Sequence, residues 1–351
     1  MVRPPVNDRA EVPTTASPAE RPALAHDDGE SIQHIAARVR PLRERTLAEI
    51  RRIVVGMDSV TEQLLIALLA GGHVLIEGVP GVAKTTLSKA FARTIGGQYQ
   101  RIQFTPDLLP SDVTGTYIFD RQSNEFVLRK GPIFCQILLA DEVNRAPAKT
   151  QSALLEAMQE IQVTIEGTTL PLPQPFLVLA TQNPVEQEGV YRLPEAQLDR
   201  FLLRVPMEYP GHEPEVEMLR LHSKPVVEPE PVFTPESVRD LQHHLPGVFA
   251  AETLLHYIIA LAEASRQHPD VALGASPRAA LCLLRCARAR ALLDGRHYCT
   301  HEDVQAVAHG VLSHRLIVRP EAEIEGKQVA EVISELLAQV PVIEPTAAPP
   351  R

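Results

Sequence analysis

A stretch near residue 80 has the residue types and spacing of a phosphate-binding loop. It reads HVLIEGVPGVAKTTL over 73–87, with an apolar run before the glycines and a helical pattern after them. In a strand–loop–helix unit of this kind, backbone N–H groups and the helix N-terminus face a phosphate, a lysine reaches the outer phosphates and a hydroxyl ligates the metal. We therefore predict that Lys84 contacts the terminal phosphates and that Thr85 ligates Mg²⁺.

The loop departs at one position from the motif G-x-x-x-x-G-K-[ST]. Gly78, Lys84 and Thr85 match it, but Ala83 replaces the second glycine. Alanine fits there if its φ is helical, and that is the conformation we predict for Ala83, with Gly81 available for any positive φ. A chance Gly/Pro turn between a strand and a helix is the alternative explanation of this stretch taken alone.

An acidic pair, Asp141 and Glu142, directly follows the apolar run 136–140. The aspartate can hold Mg²⁺ together with Thr85, and the glutamate can orient and polarise a water for attack on the γ-phosphorus. Acids at the end of a strand are also ordinary soluble turn residues. Following the phosphate loop, the pair favours a nucleoside triphosphatase.

The apolar run 176–181 is followed by Gln182, Asn183 and Pro184. Parallel strands bring their carboxyl ends to the same edge of a sheet, so Asn183 could reach the attacking water or the γ-phosphate. Asn-Pro is equally a common turn dipeptide. The residues alone leave both roles open.

The elements that must position these residues alternate between strand and helix, which predicts a parallel sheet covered by helices on both faces. Two further strand-like runs and two hairpins, 116–130 and one around 166–168, complete the predicted strands. Helices are predicted at about 30–40 and 44–54, broken by Pro41. Ser59 and Glu62 have the spacing of a capping box for the next helix, and another helix is predicted at 147–160.

Composition changes after residue 206. We predict a Pro/Glu-rich linker over 207–234 and an all-helical lid domain over 235–340, behind an α/β core over 30–206. The lid helices are predicted at about 235–243, 251–266, 277–293, 301–314 and 327–339. Residues 1–29 and 341–351 have the composition of a disordered arm and tail.

Bulk properties narrow the class of protein. The chain has 351 residues, 44% of them hydrophobic, and a net charge of -10. The acidic balance argues against nucleic acid as the main partner. The sequence shows no signal-peptide core or membrane-spanning run, and its four cysteines are expected to be thiols, which predicts a cytoplasmic protein.

These segments together resemble AAA+ ATPases, and among them the MoxR family. The resemblance covers about 54–316 and rests on the following segments in the family's order: 78–85, 101–112 (RIQFTPDLLPSD), 138–145, 180–184, 193–201 (LPEAQLDRF) and 276–278 (SPR). MoxR-type loops are compatible with alanine at position 83. The resemblance implies an AAA+ P-loop core with a C-terminal helical lid.

The resemblance also implies roles for three further residues. Asn183 becomes sensor 1, Arg278 becomes sensor 2 on the helical lid, and Arg200 becomes the arginine finger donated to a neighbouring subunit's ATP. A positive charge at the γ-phosphate stabilises the transition state, which supports both arginine roles. Arg200 could equally be an ion-pair partner of Asp199 or Glu195.

A MoxR-type protein is expected to hydrolyse ATP with Mg²⁺, to form a ring of six subunits, and to remodel or mature a protein client, often beside a partner with a von Willebrand factor A-type (VWA) domain. ATP is expected between the core and the lid. The hairpin 116–130 resembles the insert in helix 2, and 162–173 the hairpin before sensor 1. The residues predicted to contact the nucleotide are Val55, Gly56, Gly78, Pro80, Gly81, Val82, Ala83, Lys84, Thr85 and Thr86.

Three other functions stay open at this stage. A scaffold could bind ATP to set its oligomeric state and hydrolyse it negligibly, although Glu142 and Arg200 speak against this. A motor subunit on nucleic acid is disfavoured by the acidic balance and the lack of an aromatic and basic strand surface. A small-molecule P-loop kinase is disfavoured, because it would need neither an arginine at position 200 nor a helical lid of this kind.

Overall fold

The structure is a computed structural model that describes residues 31–182, 191, 193–223 and 227–342. The predicted disordered arm and most of the predicted tail lie outside these residues, as does Asn183. From Ile32 onwards the chain groups into one compact unit.

Eleven strands and thirteen α-helices are formed by the described residues. The strands are β1 (Val74–Gly78), β2 (Tyr99–Gln103), β3 (Gly115–Asp120), β4 (Glu125–Lys130), β5 (Ile137–Asp141), β6 (Gln162–Ile165), β7 (Thr168–Pro171), β8 (Leu177–Gln182), β9 (Leu203–Met207), β10 (Val271–Leu273) and β11 (Ile317–Val318). The helices are α1 (Ile32–Arg51), α2 (Asp58–Leu69), α3 (Lys84–Ile95), α4 (Pro110–Thr114), α5 (Ala148–Glu160), α6 (Glu195–Leu198), α7 (His212–His222), α8 (Pro235–His244), α9 (Glu252–Gln267), α10 (Pro277–Leu293), α11 (His301–Leu312), α12 (Pro320–Ile324) and α13 (Val329–Gln339).

The central sheet is parallel and has the strand order β2-β5-β8-β1-β9. All five strands were predicted, and the three inner ones, β1, β5 and β8, are the apolar runs, almost fully buried. The edge strand β2 alternates and is largely exposed. All five carboxyl ends lie at one edge, where β8 separates β1 from β5. The phosphate loop and the acidic pair therefore flank the end of β8.

His73 fixes the start of β1 to its neighbours. Its Nδ1 accepts the Val178 N–H at 3.0 Å, so its Nε2 carries the proton and donates to the Met158 carbonyl at 2.9 Å. Burial lowers the pKa of His73 to about 4, which keeps the ring neutral at physiological pH. This buried ring holds β1, β8 and α5 in register.

Two helix predictions before the phosphate loop are wrong. α1 is a single helix that runs through Pro41, because its buried face continues on both sides of the proline, from Ile35 to Ile50. Packing of that face outweighs the cost of about 3 kcal/mol for an interior proline. α2 begins at Asp58 with Met57 as N-cap, so Ser59 lies inside the helix and does not form a capping box.

Both predicted hairpins are present, as β3–β4 and β6–β7. The first is packed at its base through Tyr117 and Leu128 against the buried core. Farther out, Phe119 and Phe126 are 50% and 70% exposed, with ring centroids 5.4 Å apart. That hairpin therefore presents an aromatic pair to solvent.

The C-terminal part contains the five predicted lid helices. The lid is not all-helical as predicted, because β10 and β11 pair in a short antiparallel ribbon. The helices α7, within the segment 207–234, and α12 were not predicted either. α7 is an exposed helix whose Pro and Glu content resembles that of a linker. One buried apolar cluster extends from α2 and β1 into α9, α10 and α11. The domain boundaries drawn from the sequence stay a prediction.

Candidate nucleotide site

The phosphate loop joins β1 to α3, as the motif predicts. Lys84 opens α3, and its Nζ donates to the Gly78 carbonyl at 2.8 Å. Burial lowers the pKa of Lys84, while the nearby carboxylates of Asp141 and Glu142 act in the opposite direction. The ammonium group and both predicted carboxylates thus share one edge of the sheet.

The predicted conformation of Ala83 is wrong. Ala83 is the N-cap of α3 and lies in the left-handed region, with φ 59° and ψ 24°. The loop must reverse direction immediately before the helix, and the tertiary constraint outweighs the roughly 1–2 kcal/mol that a Cβ costs in this region. Gly81 also has a positive φ, 88°. The position therefore requires the glycine-like geometry that the motif encodes.

Asp141 ends β5 with both carboxylate oxygens hydrogen-bonded. Its Oδ2 accepts from Arg101 Nη2 at 2.6 Å, and its Oδ1 accepts from Thr181 Oγ1 at 2.5 Å. The side chain is largely buried between β2 and β8, with the residue 9% exposed. Carboxylate and hydroxyl oxygens are the ligands that Mg²⁺ prefers, so Asp141 and Thr85 fit a magnesium site.

Sequence reasoning gave no role to Arg101. It lies on β2, and that strand pairs with β5 so that Gln103 faces Asp141. The sequence offers one signal for such a role, an arginine two positions before the end of a strand. It does not show which carboxylate that arginine meets, because the neighbouring strand is known only from the fold. Arg101 neutralises part of the charge that Asp141 would present to a metal.

Glu142 follows in the left-handed region, with φ 55°. Its backbone N–H donates to Thr181 Oγ1 at 2.9 Å, and its Oε2 accepts from Arg145 Nη1 at 3.0 Å. The carboxylate is partly exposed, so a water can reach it. An ionised carboxylate at this place can accept a proton from that water.

A cavity of about 290 Å³ opens beside the first turns of α3. Ile53, Thr85, Thr86, Lys89, Ala90, Arg93, Val227, Glu228 and Pro229 form its walls. Two other residues predicted to contact the nucleotide pack closely against neighbouring segments. Gly56, with φ 78°, approaches Pro214 at the start of α7. Gly78 lies against the Met207 carbonyl, where an added Cβ would come within 2.5 Å. The cavity is close in size to small-ligand pockets and could hold a nucleoside next to Thr85.

The two predicted arginines lie elsewhere. Arg278 Nε is 3.8 Å from Asp199 Oδ2. Asp199 lies just before β9, and the first residue of β9 pairs with Val74 at the start of β1. β1 separates that end from Gly78 by about 13 Å, at about 3.3 Å per residue. Arg200 and Arg278 therefore lie at the edge of the sheet opposite the phosphate loop. The role of Arg278 as sensor 2 stays a prediction.

Asp199 does not pair with Arg200. Its Oδ1 accepts from Arg315 Nε at 2.6 Å, and Arg315 also donates to the Phe201 carbonyl at 2.6 Å. Within the part of the chain that the structure describes, no acidic side chain lies at ion-pair distance from Arg200. The ion-pair alternative for Arg200 therefore has no support. Ser276 caps α10 by accepting the Ala279 N–H at 3.2 Å.

The four cysteines are free and buried, as expected for thiols. In the described ranges no helix has the length and apolar character needed to cross a membrane.

Two protein-family models match this chain, and both describe parts of AAA ATPases. Residues 73–203 match the model of the "ATPase family associated with various cellular activities (AAA)", and residues 263–336 match an AAA lid domain. The match to the lid model begins within α9 and ends within α13.

Individual relatives are similar in sequence to this chain over most of its length. "Chaperone MoxR1" of Mycobacterium tuberculosis is 44% identical over 345 residues, which cover 95% of this chain and 90% of the relative. The uncharacterised protein YeaC of Bacillus subtilis is 48% identical over 304 residues, covering 86% and 95%. The crystal structure of a Cytophaga hutchinsonii protein described as a candidate ATPase superposes with a TM-score of 0.84 at 42% identity, covering 90% of this chain and 98% of the other.

Proposed function

This chain belongs to the MoxR family of AAA+ ATPases, and we propose that it binds ATP with Mg²⁺ at the phosphate loop and hydrolyses it within a ring of six subunits. The observation that carries the proposal is the meeting of Lys84, Asp141 and Glu142 at one edge of the sheet. An ammonium group and two carboxylates in this arrangement can serve a triphosphate, its metal and its hydrolytic water.

Each residue has a defined part in the proposed reaction. Lys84 leaves the Gly78 carbonyl and binds the β- and γ-phosphates. Thr85 and Asp141 would hold Mg²⁺, which supplies charge neutralisation when bound. Glu142 accepts a proton from the water that attacks the γ-phosphorus. Asn183, outside the described residues, is proposed to orient that water from the end of β8.

Arg200 and Arg278 are proposed to act on the neighbouring subunit's ATP. They lie at the sheet edge opposite their own phosphate loop, so within a ring they would face the next subunit. Hydrolysis would then depend on assembly, because the charge that stabilises the transition state comes from another chain.

The work done by hydrolysis is proposed to be remodelling of a protein client. A relative 44% identical to this chain is named a chaperone, which supports this class of function. A partner with a VWA domain and a cytoplasmic location belong to the same proposal. The acidic net charge of -10 does not favour the alternative of a nucleic-acid motor, and salt-sensitive DNA binding would revive that alternative.

The dependence of turnover on protein concentration tests ring assembly and activity together. We expect phosphate release per subunit to rise with concentration and reach a plateau, and to vanish in EDTA. Size measurements on the same samples should show the ring forming over the same range. A nucleotide-dependent scaffold would assemble with ATP yet release phosphate at the background rate at every concentration.

A further inference from the structure

One buried hydroxyl connects the two carboxylate residues of the site. Thr181 is fully buried near the end of β8. Its Oγ1 donates to Asp141 Oδ1 at 2.5 Å and accepts the Glu142 backbone N–H at 2.9 Å. A single side chain thereby fixes the aspartate through its carboxylate and the glutamate through its backbone.

The hydrogen bond to Asp141 is a strong one. An O–H···O⁻ separation of 2.5 Å is at the short end of the range for charge-assisted hydrogen bonds. The environment is water-poor, since Thr181 has no exposed surface and Asp141 little. Loss of the hydroxyl would leave one oxygen of a largely buried carboxylate without its donor, and the carboxylate would be free to rotate.

The hydrogen bond from the Glu142 N–H stabilises a strained backbone conformation. A non-glycine residue in the left-handed region costs of order 1 kcal/mol, and it persists only where its surroundings hold it there. At φ 55° the N–H of Glu142 points at Thr181. Without an acceptor there, Glu142 would be expected to relax, and its carboxylate would move from its present place, where its charge acts on Lys84.

We infer that Thr181 is a positioning residue, which sets both the carboxylate of Asp141 and the backbone of Glu142 for the reaction from the strand that leads to Asn183. The inference rests on the proposed function, because it assigns a further residue to the same ATPase site. A purely structural alternative exists: threonine favours strands, and its methyl group could simply fill space. The hydroxyl and the shape can be separated by substitution.

The test compares Thr181→Val, which keeps the shape, with Thr181→Ser, which keeps the hydroxyl. Thr181→Val is expected to lower kcat about 100-fold, the usual consequence of misplacing catalytic groups by about 1 Å. Binding of a fluorescent ATP analogue in EDTA should be unchanged, because Lys84 and the loop are intact. Thr181→Ser should keep kcat within about threefold of wild type, since the donor and acceptor remain.

Thr46→Val is a matched control for the loss of a buried hydroxyl. Thr46 is fully buried on α1, and its Oγ1 donates to the Leu42 carbonyl at 2.8 Å. This variant should unfold at a lower temperature yet keep wild-type kcat. Wild-type kcat in Thr181→Val, or equal losses in Thr181→Val and Thr181→Ser, would overturn the role of the hydroxyl.

A crystal structure of Thr181→Val provides a readout that does not depend on activity. We expect Glu142 to leave the left-handed region and the carboxylate of Asp141 to rotate. Unchanged positions of both residues would refute the inference even if the protein hydrolyses ATP. Conversely, a wild-type protein without ATPase activity would refute the proposed function, while the crystal structure would still decide whether Thr181 positions the two acids.

Discussion

Glu142→Gln is expected to bind ATP with wild-type affinity and to hydrolyse it at least about 100-fold more slowly, the effect of removing a general base. The amide has nearly the shape of the carboxylate but cannot take a proton from the attacking water. The left-handed backbone of Glu142 and its hydrogen bond to Thr181 do not involve the carboxylate and should be preserved. Steady-state phosphate release and equilibrium binding of ATP measure the two effects separately.

Glu160→Gln is a suitable control, because Glu160 is an exposed residue at the end of α5. It should leave both turnover and binding unchanged. If Glu142→Gln retained wild-type turnover, Glu142 would have no role as the base. If it lost ATP binding as well, its effect would be structural. A stalled, ATP-bound ring should also retain its client, so this variant is the natural bait for identifying one.

Arg200→Ala is expected to reduce turnover about 1,000-fold, at the lower end of the effect of an arginine finger, without weakening ATP binding to the same chain. The reason is geometric: Arg200 lies at the opposite sheet edge from its own phosphate loop, so the charge it supplies must act on another subunit. Turnover and binding are measured as above. Arg239→Ala, which removes a half-exposed arginine of α8, should have no such effect.

Mixing two inactive variants tests action between subunits. Lys84→Ala cannot grip the phosphates but retains Arg200, while Arg200→Ala binds ATP but supplies no finger. In a mixed ring, some Arg200→Ala subunits have a Lys84→Ala neighbour that donates its intact Arg200 to them. Such a subunit has a complete site, because it supplies Lys84 and its neighbour supplies the finger. We expect part of the turnover to return on mixing. Activity that stays at the level of the separate variants would place Arg200 outside the reaction.

The sequence predicts the inner strands of the central sheet, β1, β5 and β8, well, because strands buried on both faces must be nearly continuous apolar runs. The phosphate loop and the acidic pair could be placed for the same reason, since each directly follows such a run. Conformations decided by packing could not be predicted. α1 continues through Pro41, and Ala83 lies in the left-handed region, because tertiary contacts outweigh local preference at both positions.

Contacts between strands that are distant in the chain could not be predicted from the sequence either. Arg101 reaches Asp141 only because β2 pairs with β5, and Thr181 lies between the two acids only because β8 is the next strand. Arg278, in the first turn of α10, lies near Asp199 only because the fold brings two distant parts of the chain together. Residue types identified the chemistry, while the strand order determined which residues meet.

The most direct measurement is a crystal structure of Glu142→Gln grown with ATP and Mg²⁺. The phosphates are predicted to lie along Gly78–Thr86, with Lys84 Nζ within about 3 Å of a γ-phosphate oxygen and the metal between Thr85 and Asp141. Residue 142 should face the γ-phosphorus from the end of β5. Nucleotide bound anywhere else, or a phosphate loop left empty while Asp141 and residue 142 point away from it, would contradict the account.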